Sequence, residues 1–166
     1  MDKELELKLV KKYPKLFRDY GGDMKVTCMH WGCEFQDGWY DIFENLCYGI
    51  QGFMDRTSYS SPSKSGEHQR ITCPQLIFDQ VKEKFGTLTI CSHFEPYLDY
   101  ENFESPDKVK KIIDRLENHV DGMISLTEFS SERICEECGA GNATPSDTGW
   151  IKTLCNDCKG KRYELI

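Results

Sequence analysis

The 166-residue sequence lacks a long hydrophobic run, since no stretch approaches the roughly 18 consecutive apolar residues that a membrane-spanning helix needs. Its first segment, Met1 to Lys12, is highly charged and has no apolar core of the kind found in a secretory signal peptide. Both absences predict a protein that makes no membrane contact and resides in the cytoplasm.

Positive charge is also scarce. Lys and Arg number 21 against 28 Asp and Glu, which gives a formal net charge of −7 and a sequence pI of about 5.1. Proteins that coat nucleic-acid backbones normally carry a basic surface, so this class is excluded unless a local basic patch exists. An acidic chain favours a partner with a basic face, or a protein that normally binds nucleic acid.

The sequence contains no glycine-rich phosphate loop, no dinucleotide-binding fingerprint and no internal repeat. Aromatic residues, in contrast, make up 12% of a chain that is long enough to bury a core without a metal or a disulfide. The nine cysteines are an odd number, which argues against a fully disulfide-paired secreted domain. We therefore expect a reducing compartment, in which paired cysteines bind metal.

Apolar periodicity predicts the secondary structure of the first 131 residues. Helical spacing is found over 2–13, 38–54 and 106–130, and Ser105 followed by proline suits the start of the last helix. Short apolar runs at 76–81 and 88–91 predict two strands, with a hairpin or a bulge at Gly86 between them. A helical turn is the alternative for the first run. The segment 57–72 is polar and rich in serine, and we interpret it as a surface loop.

The motif with the strongest chemical signal lies near the end of the chain. Cys135 and Cys138 form one CxxC pair, Cys155 and Cys158 form a second, and sixteen residues separate the pairs. This spacing falls within the range of paired CxxC zinc sites. Two intervening residues let a tight turn present both sulfurs to one metal, and Gly139 permits the left-handed backbone that such a turn needs. The four cysteines are therefore predicted to bind Zn²⁺ tetrahedrally.

A site of four thiolates leaves no coordination position at which water is activated, so we expect the zinc to be structural. The predicted fold class is α+β, with a small antiparallel sheet packed by two main helices. Residues 1–131 form the body, and residues 132–166 form a zinc-binding tail with a zinc-ribbon or treble-clef-like knuckle.

Several segments carry a resemblance to known proteins: residues 36–39 with the helix that follows, 80–88, 130–139 and 149–155. The most distinctive pieces read Lys-Phe-Gly-Thr-Leu and Gly-Trp-Ile-Lys-Thr-Leu-Cys. Together they resemble a family of small proteins encoded by bacteriophages and prophages, with a C-terminal zinc ribbon of four cysteines. The sequence departs from that pattern after Cys33, where three residues interrupt a Cys-Gly-Asp-Gly-Trp run, and in its longer polar segment 57–72.

The resemblance implies a phage-associated role in the cytoplasm of an infected or lysogenic bacterium. Under this interpretation the protein binds and modulates a host protein, in an anti-defence or host-takeover context. The candidate contact surfaces are the polar segment 57–72 and the charged outer face of the helix 106–130.

A second metal site is an alternative interpretation of four residues in the body: Cys28, His30, Cys33 and Cys47. The spacing is not that of a standard knuckle, and free cysteines often serve as small buried apolar side chains. We therefore favour a core role for these cysteines, and the roles of Cys73 and Cys91 stay open.

A thiol-dependent enzyme is another alternative. Cys91 and His93 are two residues apart on a predicted strand and so face the same side, where Asp99 or Glu95 would complete a nucleophile, base and acid set. The surrounding sequence has no nucleophile signature, so the protein is predicted not to be an enzyme.

A nucleic-acid-binding zinc ribbon is the first competitor of the protein-binding interpretation. An exposed aromatic residue stacks on bases, and neighbouring cations meet phosphates. Against this, residues 133–166 carry five basic and five acidic residues, so the tail has no net positive charge. The candidate nucleic-acid contacts are Trp150, Lys152, Lys159, Lys161 and Arg162.

Overall fold

The computed structural model describes residues 1–95, 102–146 and 149–163. Four helices are present in these ranges: α1 (Lys3–Lys12), α2 (Tyr40–Arg56), α3 (Pro106–Ser131) and α4 (Asn156–Tyr163). Two 3₁₀ turns, Cys28–Trp31 and Asp37–Trp39, precede α2. The predicted helices over 2–13, 38–54 and 106–130 are confirmed, and no helix in the described ranges is long and apolar enough to cross a bilayer.

The strands form three small sheets. Their bounds are β1 (Cys33–Glu34), β2 (Ser58–Pro62), β3 (His68–Thr72), β4 (Leu76–Lys84), β5 (Thr87–Phe94), β6 (Thr144–Pro145) and β7 (Thr153–Leu154). The main sheet has the order β1-β4-β5, with β1 parallel and β5 antiparallel to β4. The expected sheet was purely antiparallel, whereas the short strand β1 makes the observed sheet mixed.

The predicted hairpin at Gly86 is present as β4 and β5. Phe85 and Gly86, with φ of 54° and 81°, form its two-residue turn. Two successive residues with positive φ give the turn the twist that suits the flanking strands. Asp79 lies at a register shift in β4, between Phe78 and Gln80.

The interpretation of 57–72 as a loop is wrong. The segment forms the antiparallel hairpin of β2 and β3, with Ser58 opposite Thr72 and a left-handed turn at Gly66. Its polar composition arises because most of the hairpin is exposed, while Ile71 alone is fully buried, against Phe103 and helix α3. One buried apolar residue among the sixteen leaves no visible apolar alternation in the sequence.

The start of α3 agrees only in part with the prediction. Pro106 occupies the first turn as expected, but the side chain of Ser105 makes no capping hydrogen bond. The Ser105 carbonyl instead accepts the amides of Lys108 and Val109. The helix therefore begins where predicted through the fixed φ of proline and these backbone bonds.

The main core joins α1, α2, α3 and the sheet. Its largest fully buried members are Trp39, Phe43 and Phe78, which pack with edge or tilted ring contacts around Phe17 and Phe35. Helices α2 and α3 run antiparallel, as shown by the stacking of Phe53 on His119 and the Trp39 bond to Ile134 at the opposite end. The C-terminal tail starts at the end of α3, beside the start of α2.

Helix α3 also covers the outer edge of strand β5. The amide of Leu88 donates to Ser131 Oγ at 2.9 Å, and the amide of Ile90 donates to Glu128 Oε1 at 2.8 Å. Two backbone donors that face away from β4 are thereby satisfied by side chains.

A buried carboxylate fixes α1 to the body. Glu6 accepts hydrogen bonds from the Lys3 ammonium and the Tyr20 hydroxyl, both at 2.7 Å, and from the Cys33 amide. Although burial opposes ionisation, Lys3 and these donors together lower the pKa of Glu6 below its usual 4.5. The ionised form is therefore the one that the fold stabilises.

We predict that Glu6→Gln lowers the free energy of unfolding by about 2 kcal/mol at pH 7, because charged hydrogen bonds are lost in a buried site. The folded pKa lies below the unfolded one, so this contribution is present above pH 4.5 and is lost as the pH falls through the folded value. Urea denaturation at pH 7 and pH 3.5 measures the difference. The exposed Glu4→Gln on the same helix is the control, and equal effects of both changes would contradict the prediction.

Candidate metal centre

Four sulfur atoms converge in the tail. The Sγ atoms of Cys135, Cys138, Cys155 and Cys158 all lie within 4.8 Å of one another, and none of these cysteines is in a disulfide. The Sγ atoms of Cys138 and Cys155 are 3.7 Å apart. Sulfurs placed 2.3 Å from a central ion form a tetrahedron with edges of about 3.8 Å. The four side chains thus fit a tetrahedral metal ion, and the cluster could bind one.

The first cysteine pair is shaped by a backbone turn that follows α3. The Cys135 amide donates to the Ala140 carbonyl at 2.8 Å, and the Gly139 amide donates back to the Cys135 carbonyl at 2.9 Å. Gly139 has a φ of 76°, in the left-handed region that such a turn needs. The predicted role of this glycine is confirmed.

The second pair lies at the start of helix α4. Strands β6 and β7 pair, with Thr144 opposite Leu154, and this hairpin carries the chain back towards the first pair. Cys155 directly precedes α4, and the Cys158 backbone N–H lowers the pKa of Cys155 to about 7. A helix N-terminus favours negative charge, so the local structure prepares this sulfur to act as a thiolate ligand.

The tail packs directly against the start of α2. The Gly38 amide donates to the Glu136 carbonyl at 2.7 Å, and the Trp39 indole N–H donates to the Ile134 carbonyl at 2.7 Å. A Cβ atom on Gly38 would lie 2.5 Å from the Gly139 nitrogen and 2.6 Å from the Glu136 oxygen. Only glycine permits this close approach of two backbones.

Glu136 is the buried charged group of this contact. Its Oε1 accepts the Gln36 amide at 3.2 Å, and its Oε2 lies 3.5 Å from the Lys152 ammonium, an ion pair longer than a good hydrogen bond. Burial raises the pKa of Glu136, and the charge of Lys152 opposes that rise. The ion pair joins the two cysteine segments of the tail to each other, and the bond from Gln36 joins Glu136 to the body.

A second contact joins the tail to the β4–β5 turn. Thr153 Oγ1 donates to the Gly86 carbonyl at 2.6 Å, and the Trp150 indole N–H donates to Glu83 Oε2 at 3.0 Å. Trp150 nevertheless stays 70% exposed, beside Ile151 and Phe85, which is 73% exposed. We call Phe85, Trp150 and Ile151 the aromatic patch. Sequence analysis found Trp150 but missed Phe85, whose position before a turn glycine was the available signal.

The candidate nucleic-acid contacts have different environments. Lys152 pairs with Glu136, and the Lys159 ammonium donates to Thr144 Oγ1 and to the Pro145 carbonyl. Lys161 is exposed on α4, and the Arg162 side chain lies outside the described residues. Two of the four predicted cations therefore have partners within the tail.

The body cysteines do not form a second metal site. Within residues 1–95, 102–146 and 149–163, the tail cluster is the only group of three or more His, Cys, Asp or Glu side chains close enough to share an ion. His30 Nδ1 contacts the Gly22 carbonyl at 2.6 Å, and Cys28 is exposed. Cys33 and Cys47 are buried in the core, and burial raises the pKa of both thiols.

Cys73 is also buried, and burial raises its pKa to about 11, so it remains a protonated thiol at neutral pH. The core role that we favoured is confirmed for Cys33 and Cys47 but is wrong for the exposed Cys28, and Cys73, whose role was open, also lies in the core. The protonated state gives Cys73 no ligand or nucleophile function.

The residues of the thiol-enzyme alternative are only partly brought together. His93 Nδ1 lies 2.8 Å from Asp79 Oδ1, an acid that sequence analysis missed because it lies at the register shift of β4. Glu95 pairs with Arg18 instead, and Asp99 lies outside the described residues. Cys91 is exposed, and no hydrogen bond joins it to His93 in the described part of the chain.

We predict that Gly38→Ala lowers the free energy of unfolding by about 3 kcal/mol, because the added methyl group forces the two backbones apart. Chemical denaturation measures the loss, and amide exchange at residues 134–140 locates it. Gly122→Ala in α3 is the matched control: nothing lies within 4 Å of its new Cβ, and alanine stabilises a helix by up to about 1 kcal/mol. Wild-type stability of Gly38→Ala would show that the tail does not dock here.

Comparison with known proteins identifies no family for this arrangement. No protein-family model matches the chain, and neither a curated protein nor a solved structure matches it. The assignment of function therefore rests on the residues of the site.

Proposed function

We propose that the four tail cysteines hold one structural zinc ion. The donor set is all cysteine sulfur, which zinc favours; the Cys138–Cys155 separation of 3.7 Å matches a tetrahedral edge, and all four sulfurs lie within 4.8 Å of one another. Four protein ligands leave no position for a substrate or water, so zinc supplies a cross-link and no chemistry. The cross-link ties the end of α3 to the start of α4.

The order of elements supports a treble-clef-like knuckle. A cysteine pair in a glycine turn comes first, the β6–β7 hairpin follows, and a second pair introduces α4. The apolar residues of the knuckle are few, since Ala143 and Leu154 are the only buried partners of the cysteines among the described residues. A unit with so little buried apolar surface depends on its metal for stability.

We predict that Cys135→Ser or Cys158→Ser reduces bound zinc from one ion to none per chain, because the tetrahedron loses a thiolate. Metal analysis of the purified protein measures the content, and amide exchange over 132–163 is expected to lose its protection. Cys28→Ser, an exposed cysteine outside the cluster, should retain one zinc ion. Retention of zinc after either tail substitution would refute the four-ligand assignment.

We further propose that the protein binds and modulates a host protein in the cytoplasm of a phage-infected or lysogenic bacterium. The resemblance to phage and prophage proteins supplies the cellular context. The observation that carries the binding function is the aromatic patch of Phe85, Trp150 and Ile151.

Exposing the aromatic patch to water is energetically unfavourable for a protein that has no partner. Large apolar side chains exposed together are typical of interaction surfaces, and Trp is enriched among the residues that dominate binding energy. Trp150 is held in place by its bond to Glu83, and the segment that carries it is held by the bond of Thr153 to Gly86. A preorganised surface loses little conformational entropy on binding. The proposed zinc thus fixes the segment that carries Trp150 and Ile151, two of the three members of the patch.

We predict that Trp150→Ala abolishes capture of the host protein from bacterial lysate, because it removes the largest member of the patch. Trp31→Ala is the matched control, since Trp31 is 62% exposed but lies in the 3₁₀ turn Cys28–Trp31, outside the patch. Tagged wild type and both variants are compared after nuclease treatment, with bound proteins identified by mass spectrometry. Equal capture by Trp150→Ala and wild type would refute the role of the patch.

Nucleic-acid binding is the second candidate, favoured by the exposed indole of Trp150 and the exposed cation Lys161. The net charge of −7 and the internal pairing of Lys152 oppose it. In the same capture experiment this function would appear as nuclease-sensitive material released by salt and lost on charge reversal at Lys161.

A further inference from the structure

The aromatic patch encloses a small slot. Phe85 from the β4–β5 turn and the segment Gly149, Trp150 and Ile151 from the tail line a space of about 180 Å³. Two ring systems from separate elements thus meet at one opening. A slot of this size accommodates one side chain and no larger ligand.

The backbone at Phe85 has an uncommon conformation for a bulky residue. Its φ of 54° lies in the left-handed region, where glycine, asparagine or aspartate is usual. The phenyl ring is also 73% exposed, so it gains little from burial. A strained backbone and an exposed ring in one residue are typical of a side chain that contacts another molecule.

A carboxylate is hydrogen-bonded to the indole that forms one wall of the slot. Glu83 Oε2 accepts the Trp150 indole N–H at 3.0 Å, and Glu83 Oε1 accepts the Gly86 amide at 2.7 Å. Each oxygen keeps a lone pair for another donor. The two bonds fix a negative charge beside the indole ring.

The Phe85 ring already attracts a cation within the chain. The Lys84 ammonium lies 5.7 Å from the ring centroid, and Lys84 is exposed on a flexible side chain. This geometry is that of a cation–π contact. A partner's cation would replace Lys84 or share the ring with it.

We propose that the slot binds the guanidinium of an arginine side chain presented by a basic segment of the partner protein. This inference rests on the proposed function and names the chemistry that the patch recognises. Aromatic faces and a carboxylate together suit a cation better than an aliphatic side chain or a nucleobase. The net charge of −7 favours a basic partner in the same way.

Arginine fits better than lysine for two reasons. Its planar guanidinium stacks on aromatic rings and pairs with a carboxylate through two donors, and it is less strongly hydrated than an ammonium. A lysine side chain would bring a compact, strongly hydrated ammonium to the slot. That ammonium would compete directly with Lys84 for the Phe85 ring.

The test is an NMR titration of the full-length, zinc-loaded protein. The indole N–H signal of Trp150 is assigned by its absence in Trp150→Phe, and the ligands are blocked pentapeptides Ser-Gly-Xaa-Gly-Ser with arginine, lysine or neutral citrulline at the centre. We expect a saturable shift with the arginine peptide at millimolar concentration, several-fold weaker binding of the lysine peptide, and no response to citrulline.

Three variants make the test specific to the site. Glu83→Gln keeps an oxygen acceptor for the turn but removes the charge, and should weaken arginine binding by about fivefold. Glu34→Gln, an exposed acid on β1, makes the same change in net charge and should leave affinity unchanged. Lys84→Gln removes the internal cation and should tighten binding.

The outcomes separate this inference from the proposed function. An equal response to arginine and citrulline, an unmoved Trp150 signal, or equal weakening by Glu83→Gln and Glu34→Gln would each overturn the arginine slot. The binding function is decided independently, by whether Trp150→Ala loses the host protein.

Discussion

The arrangement of the protein depends on one close backbone contact, between Gly38 at the start of α2 and the first cysteine turn. The Gly38 amide meets the Glu136 carbonyl at 2.7 Å, and no side chain fits between the two segments. Because of this contact, the tail is part of the body's surface and not an appendage on a linker. The position of Trp150 beside the β4–β5 turn follows from it, and so does the existence of the aromatic patch.

The features that sequence analysis predicted are local ones. The CxxC pairs place their own sulfurs, because two intervening residues and Gly139 define the turn. Helix α3 follows from its apolar periodicity and from Pro106, and the β4–β5 hairpin follows from two apolar runs around Gly86. In each case neighbouring residues determine the structure, so a single sequence is sufficient.

The missed features depend on contacts between distant segments. The hairpin of β2 and β3 has one buried side chain, Ile71, whose partners in and before α3 begin more than thirty residues later. The pairing of Asp79 with His93 depends on a shift in strand register, and the contact of Gly38 with the tail spans about a hundred residues. Phe85 was missed because a phenyl ring is usually buried, so it gave no reason to expect a surface role. Its exposure follows from the turn that it occupies.

The bonds from Ser131 and Glu128 to the outer amides of β5 have a consequence for recognition. An uncovered edge strand can pair with strands of other proteins through backbone hydrogen bonds. Such pairing depends little on the partner's sequence and promotes aggregation. Here the amides of Leu88 and Ile90 are already satisfied by α3. A partner strand would find these two donors occupied, so we expect selectivity to come from side-chain chemistry elsewhere on the surface.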